Sequence, residues 1–144
     1  MKTYYISIDS KFRDIEKYPN RNYFVFDFGI SLFNIISVDL AYASFNSETM
    51  NNRYINIFIK EFDSNALSNI NNDSFGQIHL INYGSKYVEH MPSKFRIGKT
   101  FYPKLSKINK LTIQISDENS LPLELNDDFY LRFEINCEEN QLTD

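Results

Sequence analysis

Two histidines and one cysteine are the whole supply of imidazole and thiol groups in this chain: His79, His90 and Cys137. A zinc site takes about four ligands, and no CxxC or HxxxH spacing supplies them, so no metal site is expected. Cys137 with a distant His would make a thiol dyad, which needs a lowered thiol pKa. Its surroundings, EINCEEN, are acidic and act in the opposite direction. Cys137 therefore reads as a plain small residue beyond the last strand. His79 reads as a solvent-side strand residue, and His90 as part of a loop before Met91 and Pro92. Asp127–Asp128 and Glu138–Glu139 are adjacent acids on a turn and a tail, and neighbours in sequence do not face each other as an acid/base pair must. With four Gly and neither GxGxxG nor GxxxxGK, phosphate-cradling loops are not expected. The expectation is a non-enzyme with no catalytic, cofactor-binding or metal-binding residues.

The elements that would carry any site are strands. Tyr4, Ile6 and Ile8 alternate with Tyr5, Ser7 and Asp9, and Phe24, Phe26 and Phe28 with Tyr23, Val25 and Asp27. The same period of two recurs in Ile36, Val38, Leu40 and Tyr42, in Ile55, Ile57 and Ile59, and in Ile78 and Leu80. It returns in Leu111, Ile113 and Ile115, in Leu121, Leu123 and Leu125, and in Phe129, Leu131, Phe133 and Ile135. Such runs of β-branched and aromatic residues fit half-buried strands. Turn clusters rich in Asn, Asp, Ser and Gly separate them, at 18–22, 46–52, 82–85, 116–120 and 126–128. About eight short strands with such spacing predict an all-β antiparallel sandwich or barrel. Only 64–72 reads as faintly helical. One domain over 1–144 is expected, with 1–22 as an N-terminal arm or first strand and 137–144 as a flexible acidic tail.

Composition narrows the function. Aromatics are 16% of the 144 residues, with 13 Phe, 10 Tyr and no Trp, enough for a core built on rings. The net charge of −4 gives no global field for nucleic acid. Charge is nevertheless segregated. Residues 86–110 carry seven Lys or Arg against Glu89 alone, whereas 117–144 carry nine acids and only Arg132. The basic stretch interleaves Tyr87, Phe95, Phe101 and Tyr102 with its cations, as a single-strand binder would. A long surface loop neutralising an acidic neighbour explains it as well. A lone cysteine suits a reducing compartment. No apolar run is long enough for a signal peptide or a membrane span, so a soluble, non-secreted protein is expected.

Two blocks resemble a known family. The first is YYISIDSKFRDIEKYPNRNYFVFDFGISLFNIISVDLAYASFN: a strand, Asp9–Ser10 followed by charged residues, a Tyr-Pro-Asn turn, an aromatic strand and a further strand. YINIFIKEF follows, and then FYPKLSKINKLTIQISDENSLPLELNDDFYLRFEIN. Together these resemble the single jelly-roll penton and minor capsid proteins of large icosahedral double-stranded DNA viruses (giant viruses) and of virophages. Lys11–Phe12 stand where the family has Arg-Asp. The resemblance implies a single jelly roll of about eight antiparallel strands in two sheets. It also implies a structural virion protein without cofactors, made in the host cytoplasm and placed in the capsid. There it would form a homopentamer at the fivefold vertex, against the double jelly-roll major capsid protein and other minor capsid proteins. The abundance of Asn and Ile is similar to that in proteins of AT-rich viruses of this kind.

A fivefold ring needs one patch to meet a different patch on the next subunit. The segregated charge suggests Lys94, Arg96 or Lys99 against Asp127 or Asp128 across that boundary, setting orientation and partner choice. Two other readings compete. A carbohydrate-binding module would use Tyr18, Tyr23, Tyr83, Tyr87 and Tyr102, although sugar platforms favour Trp. A nucleic-acid accessory protein would use 86–110.

Overall fold

The computed structural model describes residues 1–48, 50–63, 74–80 and 86–139. The predicted helix at 64–72, the 82–85 turn and the last five residues of the acidic tail lie outside them. Seven strands make up the described chain: β1 (Lys2–Asp9), β2 (Tyr23–Asn46), β3 (Tyr54–Ile59), β4 (Gly76–His79), β5 (Tyr87–His90), β6 (Gly98–Ser116) and β7 (Tyr130–Cys137). Two 3₁₀ turns, Ser10–Phe12 and Lys60–Phe62, are the only helical elements among the described residues. The protein is all-β, an antiparallel curled sheet.

Two of the strands are unusually long, and they organise the rest. The first part of β2 pairs with the end of β6 (Phe24 with Ile113), and its later part pairs with β7 (Leu40 with Phe133) and β5 (Phe45 with Val88). The end of β6 also pairs with β3, and β3 with β4, while β1 pairs with β7 along all eight of its residues. Residues 1–22 therefore contribute a paired first strand and a loop. All seven strands belong to one sheet in which two pairing runs can be followed: β1, β7 and late β2, with β5 and the start of β6 on the far side of late β2; and early β2, late β6, β3 and β4. The free edges of β1 and of Tyr23–Asp27 lie at the ends of these runs among the described residues.

β2 stays extended through two places where its backbone turns over. Gly29 sits at φ 75° and accepts no Cβ cheaply there; the Asp27 carboxylate fixes it by accepting its N–H at 2.8 Å. Asn34 at φ 55° is the second. These interruptions lie between the runs that the sequence presents as two strands, 23–28 and 36–43, which the structure joins into one. Gly98 opens β6 where a Cβ would overlap the Asp39 carboxylate and the Val38 carbonyl, so a side chain is excluded at that close approach.

The inner face is filled by rings. Phe24 and Phe45, from opposite ends of β2, meet on Phe129 at 5.8 and 5.1 Å. Phe62, Phe75 and Phe133 form a second cluster, joined by Phe101 at 5.9 Å from Phe62. Phe62 and Phe75 flank β3 and β4, whereas Phe133 belongs to β7, so the cluster ties one pairing run to the other.

Three expectations change. Leu121, Leu123 and Leu125 do not form a strand; a single bridge links Ser116 with Pro122, and Leu121 is exposed. Residues 86–110 are not a long loop but β5, a turn and the first part of β6. Both faces of that part of β6 carry charge, and only Phe101 and Ile108 are buried in it, which hides the period of two. His90 closes β5 with 2% exposure instead of lying in a loop, and Cys137 is the buried last residue of β7.

Candidate contact surfaces

The acids singled out as contact residues are fastened within the chain. Asp128 accepts from Arg21 Nε at 2.8 Å and from the Ser10 hydroxyl at 2.9 Å, with Arg13 Nη1 at 3.7 Å. Burial opposes its ionisation, but these hydrogen bonds and the charges of Arg21 and Arg13 outweigh it and hold the carboxyl below its ordinary range. Asp127 accepts from Asn46 Nδ2 at 2.9 Å, and that bond, with the Asp128 N–H, likewise lowers its pKa. The β1–β7 register, which sets Asp9 against Tyr130, brings the loop after β1 onto the turn before β7.

The cations behave in the same way. Arg96 pairs with Asp39. Lys94 donates to the Glu89 carbonyl at 2.7 Å and Lys99 to the Phe62 carbonyl at 3.3 Å. Lys104 pairs with Glu138, and Lys86 lies 3.9 Å from Glu48. Within one chain, then, Lys94, Arg96 and Lys99 do not meet Asp127 or Asp128. Three of the seven cations, Lys86, Arg96 and Lys104, thus face a carboxylate of their own chain, which leaves less free positive charge for a phosphate backbone.

Chemistry-bearing side chains are scattered. His79 is exposed on β4 and lies 5.6 Å from the Tyr54 ring. Burial pushes the Cys137 thiol up, away from nucleophilic character. Among the described residues no group of three or more His, Cys, Asp or Glu is placed to hold a metal.

Among the described residues His90 is the one buried histidine. Its ring packs 5.0 Å from Phe95, and its Nε2 meets no hydrogen-bond partner among the described residues. Burial, aided by the Lys94 charge, lowers its pKa from the ordinary 6.5. Protonation then favours the unfolded chain. Above pH 6.5 both states are neutral and His90 has no effect on stability; as pH falls from 6.5 towards the folded-state pKa, the unfolded chain alone gains the proton and stability drops. Urea titrations at stepped pH are expected to show that drop in the parent protein and to lose it in His90→Phe.

Three surfaces stand out. One is a shallow depression on the β1, β7 and β2 face, where Tyr5, Tyr42 and Tyr130 gather with Met91, Arg132 and Glu134. Arg132 lies 4.7 Å from the Tyr5 ring centre and Tyr42 lies 5.8 Å from Tyr130. Of the tyrosines expected to form a sugar platform, Tyr18 and Tyr23 come together at 5.9 Å among the described residues, and Tyr83 lies outside them. The second surface is a pair of connected clefts between β1 and early β2. The smaller, about 250 Å³, is lined by Tyr4, Tyr5, Ile6, Phe26, Phe28 and Ile30 among others. The larger, about 450 Å³, shares Ser7 and Phe26 with it and adds Asp9, Asp14 and Asp27. The third is Tyr102, fully exposed on β6. No single period or spacing announces the first two, because each joins strands distant in sequence.

Among the described residues no helix is long and apolar enough to cross a membrane. A scan against protein-family models and a search of curated proteins each find no match.

Proposed function

We propose that this chain is a structural subunit of an icosahedral virus capsid, a single jelly roll that packs against copies of itself and other capsid proteins, most simply as the fivefold vertex protein. The observation that carries the reading is the pairing order. A run of β1, β7, late β2 and β5 and a run of early β2, late β6, β3 and β4 are joined by two strands that pass from one to the other. The strands form one curled seven-stranded sheet, and a jelly roll, two four-strand sheets wound together, would pair its strands in runs of this kind, which supports the reading. The aromatic contacts of Phe133 with Phe62 and Phe75 put both runs around one core.

What such a body offers to function is its outside. Among the described residues the outer edges of β1, β4, β5 and Tyr23–Asp27 pair with no strand, and Tyr, Met and Arg collect in one depression, the side chains that are enriched at protein contacts. Partners on this reading are further copies in a ring, the double jelly-roll major capsid protein and other minor capsid proteins, within the virion.

Native mass spectrometry of the purified chain tests the vertex role. A pentamer is the expected species. A protein that stays monomeric at the highest soluble concentration removes the vertex assignment.

A further inference from the structure

The clefts between β1 and β2 and the exposed part of β6 have complementary characters on one chain. The smaller cleft is apolar, and at about 250 Å³ it falls below the roughly 300–1,000 Å³ of small-molecule sites, leaving room for one large side chain. It shares Ser7 and Phe26 with the larger cleft, whose lining includes Arg13, held by three loop carbonyls, and Asp9, Asp14 and Asp27, which each accept a nearby backbone N–H and are in no ion pair among the described residues. Tyr102 supplies the opposite shape. Residues 101–104 of β6 bulge out against Ile36 alone, because Ile35 pairs with Leu105 and Ser37 with Thr100. The Tyr102 ring is 101% exposed, and Lys104 and Lys107 follow it. Phe33, in register with Lys107, is also exposed, its ring centre 6.0 Å from Lys107 Nζ.

The geometry points to a self-contact in which the Tyr102–Pro103 tip of one copy enters the β1–β2 cleft of the next, with Lys107 facing Asp9, Asp14 and Asp27 while Lys104 stays paired with Glu138 of its own chain. The occupant is a second copy because this chain carries both the exposed tip, with Lys107 behind it, and the cleft that carries the three aspartates. Tyr102 does not line the cleft of its own chain. Tip and cleft are different patches, so the contact is heterologous and each copy can use both at once, as a ring requires. This inference rests on the self-packing reading above.

Tyr102→Ala and Ile30→Asp separate the two sides. Both side chains are largely in water, at 101% and 60% exposure, so each variant keeps its fold, which circular dichroism and melting temperature verify. Sedimentation velocity over a concentration series is expected to show self-association of each variant weakened by about thirtyfold. Mixing the two variants restores one contact, the intact tip of Ile30→Asp in the intact cleft of Tyr102→Ala, and yields 1:1 dimers that grow no further. Association unchanged in either variant, or a mixture that does not pair, overturns the contact. A parent protein that never self-associates sinks the self-packing reading itself, whereas parent association that survives both substitutions sinks only this contact.

Discussion

Replacing Phe133 with alanine is expected to remove about 3–5 kcal/mol of folding stability, read as a lower urea midpoint at unchanged slope. Phe133 is fully buried in β7, in register with Ile6 of β1 on one side and Leu40 of β2 on the other. Its ring stands edge-on to Phe62 at 6.2 Å and to Phe75 at 5.7 Å. Those partners follow β3 and precede β4, so the ring fills space between the two pairing runs. The cavity left by alanine cannot close readily, because β7 is hydrogen-bonded on both edges and cannot shift inward. Against a total of about 5–15 kcal/mol, the loss is about a fifth or more of what holds a domain folded. Phe133→Leu keeps most of the apolar volume and is expected to cost about 1–2 kcal/mol. A loss below that in the alanine variant would mean that the ring does not separate the two runs.

Where one face of a strand is buried without interruption, the sequence is read easily. β7 alternates from Leu131 to Cys137, and β3 buries Ile55, Ile57 and Ile59. β2 shows why the rest was harder. Alternation puts Ile36, Val38, Leu40 and Tyr42 on one face, yet the buried residues are Ile35, Val38, Leu40, Ala43 and Phe45. Register shifts between Ile35 and Ser37 and between Leu40 and Tyr42 each slip the phase, and a slip of one residue sends side chains to the other face. Nothing in the local residue types marks a bulge. β6 is hidden for another reason: from Gly98 to Lys110 it lacks one consistently buried face, so its charges resemble those of a loop.

The contact residues were legible as charges and not as partners. Segregation of bases in 86–110 from acids in 117–144 is plain from the sequence. Which acid meets which base depends on the loops that strand pairing brings together. Asp128 is 107 residues from Arg21 and 118 from Ser10, yet it bonds both because β1 lies against β7. The clefts are still less visible, since they form where two free edges face each other.

Arg13→Ala is expected to cost about 2–4 kcal/mol, because it strips three backbone carbonyls of one loop of their donor and weakens a partly buried ion pair. The guanidinium donates from Nη1 to the Ser10 carbonyl at 2.8 Å, from Nε to Tyr18 at 2.9 Å and from Nη2 to Pro19 at 2.9 Å. Its side chain is only 5% exposed, and Asp128 lies 3.7 Å away. Ser10, wholly buried, links this loop to β7 by exchanging bonds with Phe129 at 3.0 and 2.9 Å. A planar fork can reach three carbonyls in different directions, whereas one ammonium on a flexible stem cannot, so Arg13→Lys is expected to recover less than half of the loss. Asp128 adds a pH signature. Its lowered pKa contributes stability that is present above the ordinary 3.8 and lost as pH falls through the folded-state value. Removing Arg13 takes away part of that lowering, so urea titrations of Arg13→Ala should show a shallower acid-side decline than the parent, and a double variant with Asp128→Ala should cost less than the sum of the two. Full stability in Arg13→Lys would show that charge alone, and not the three-way fork, holds the loop against β7.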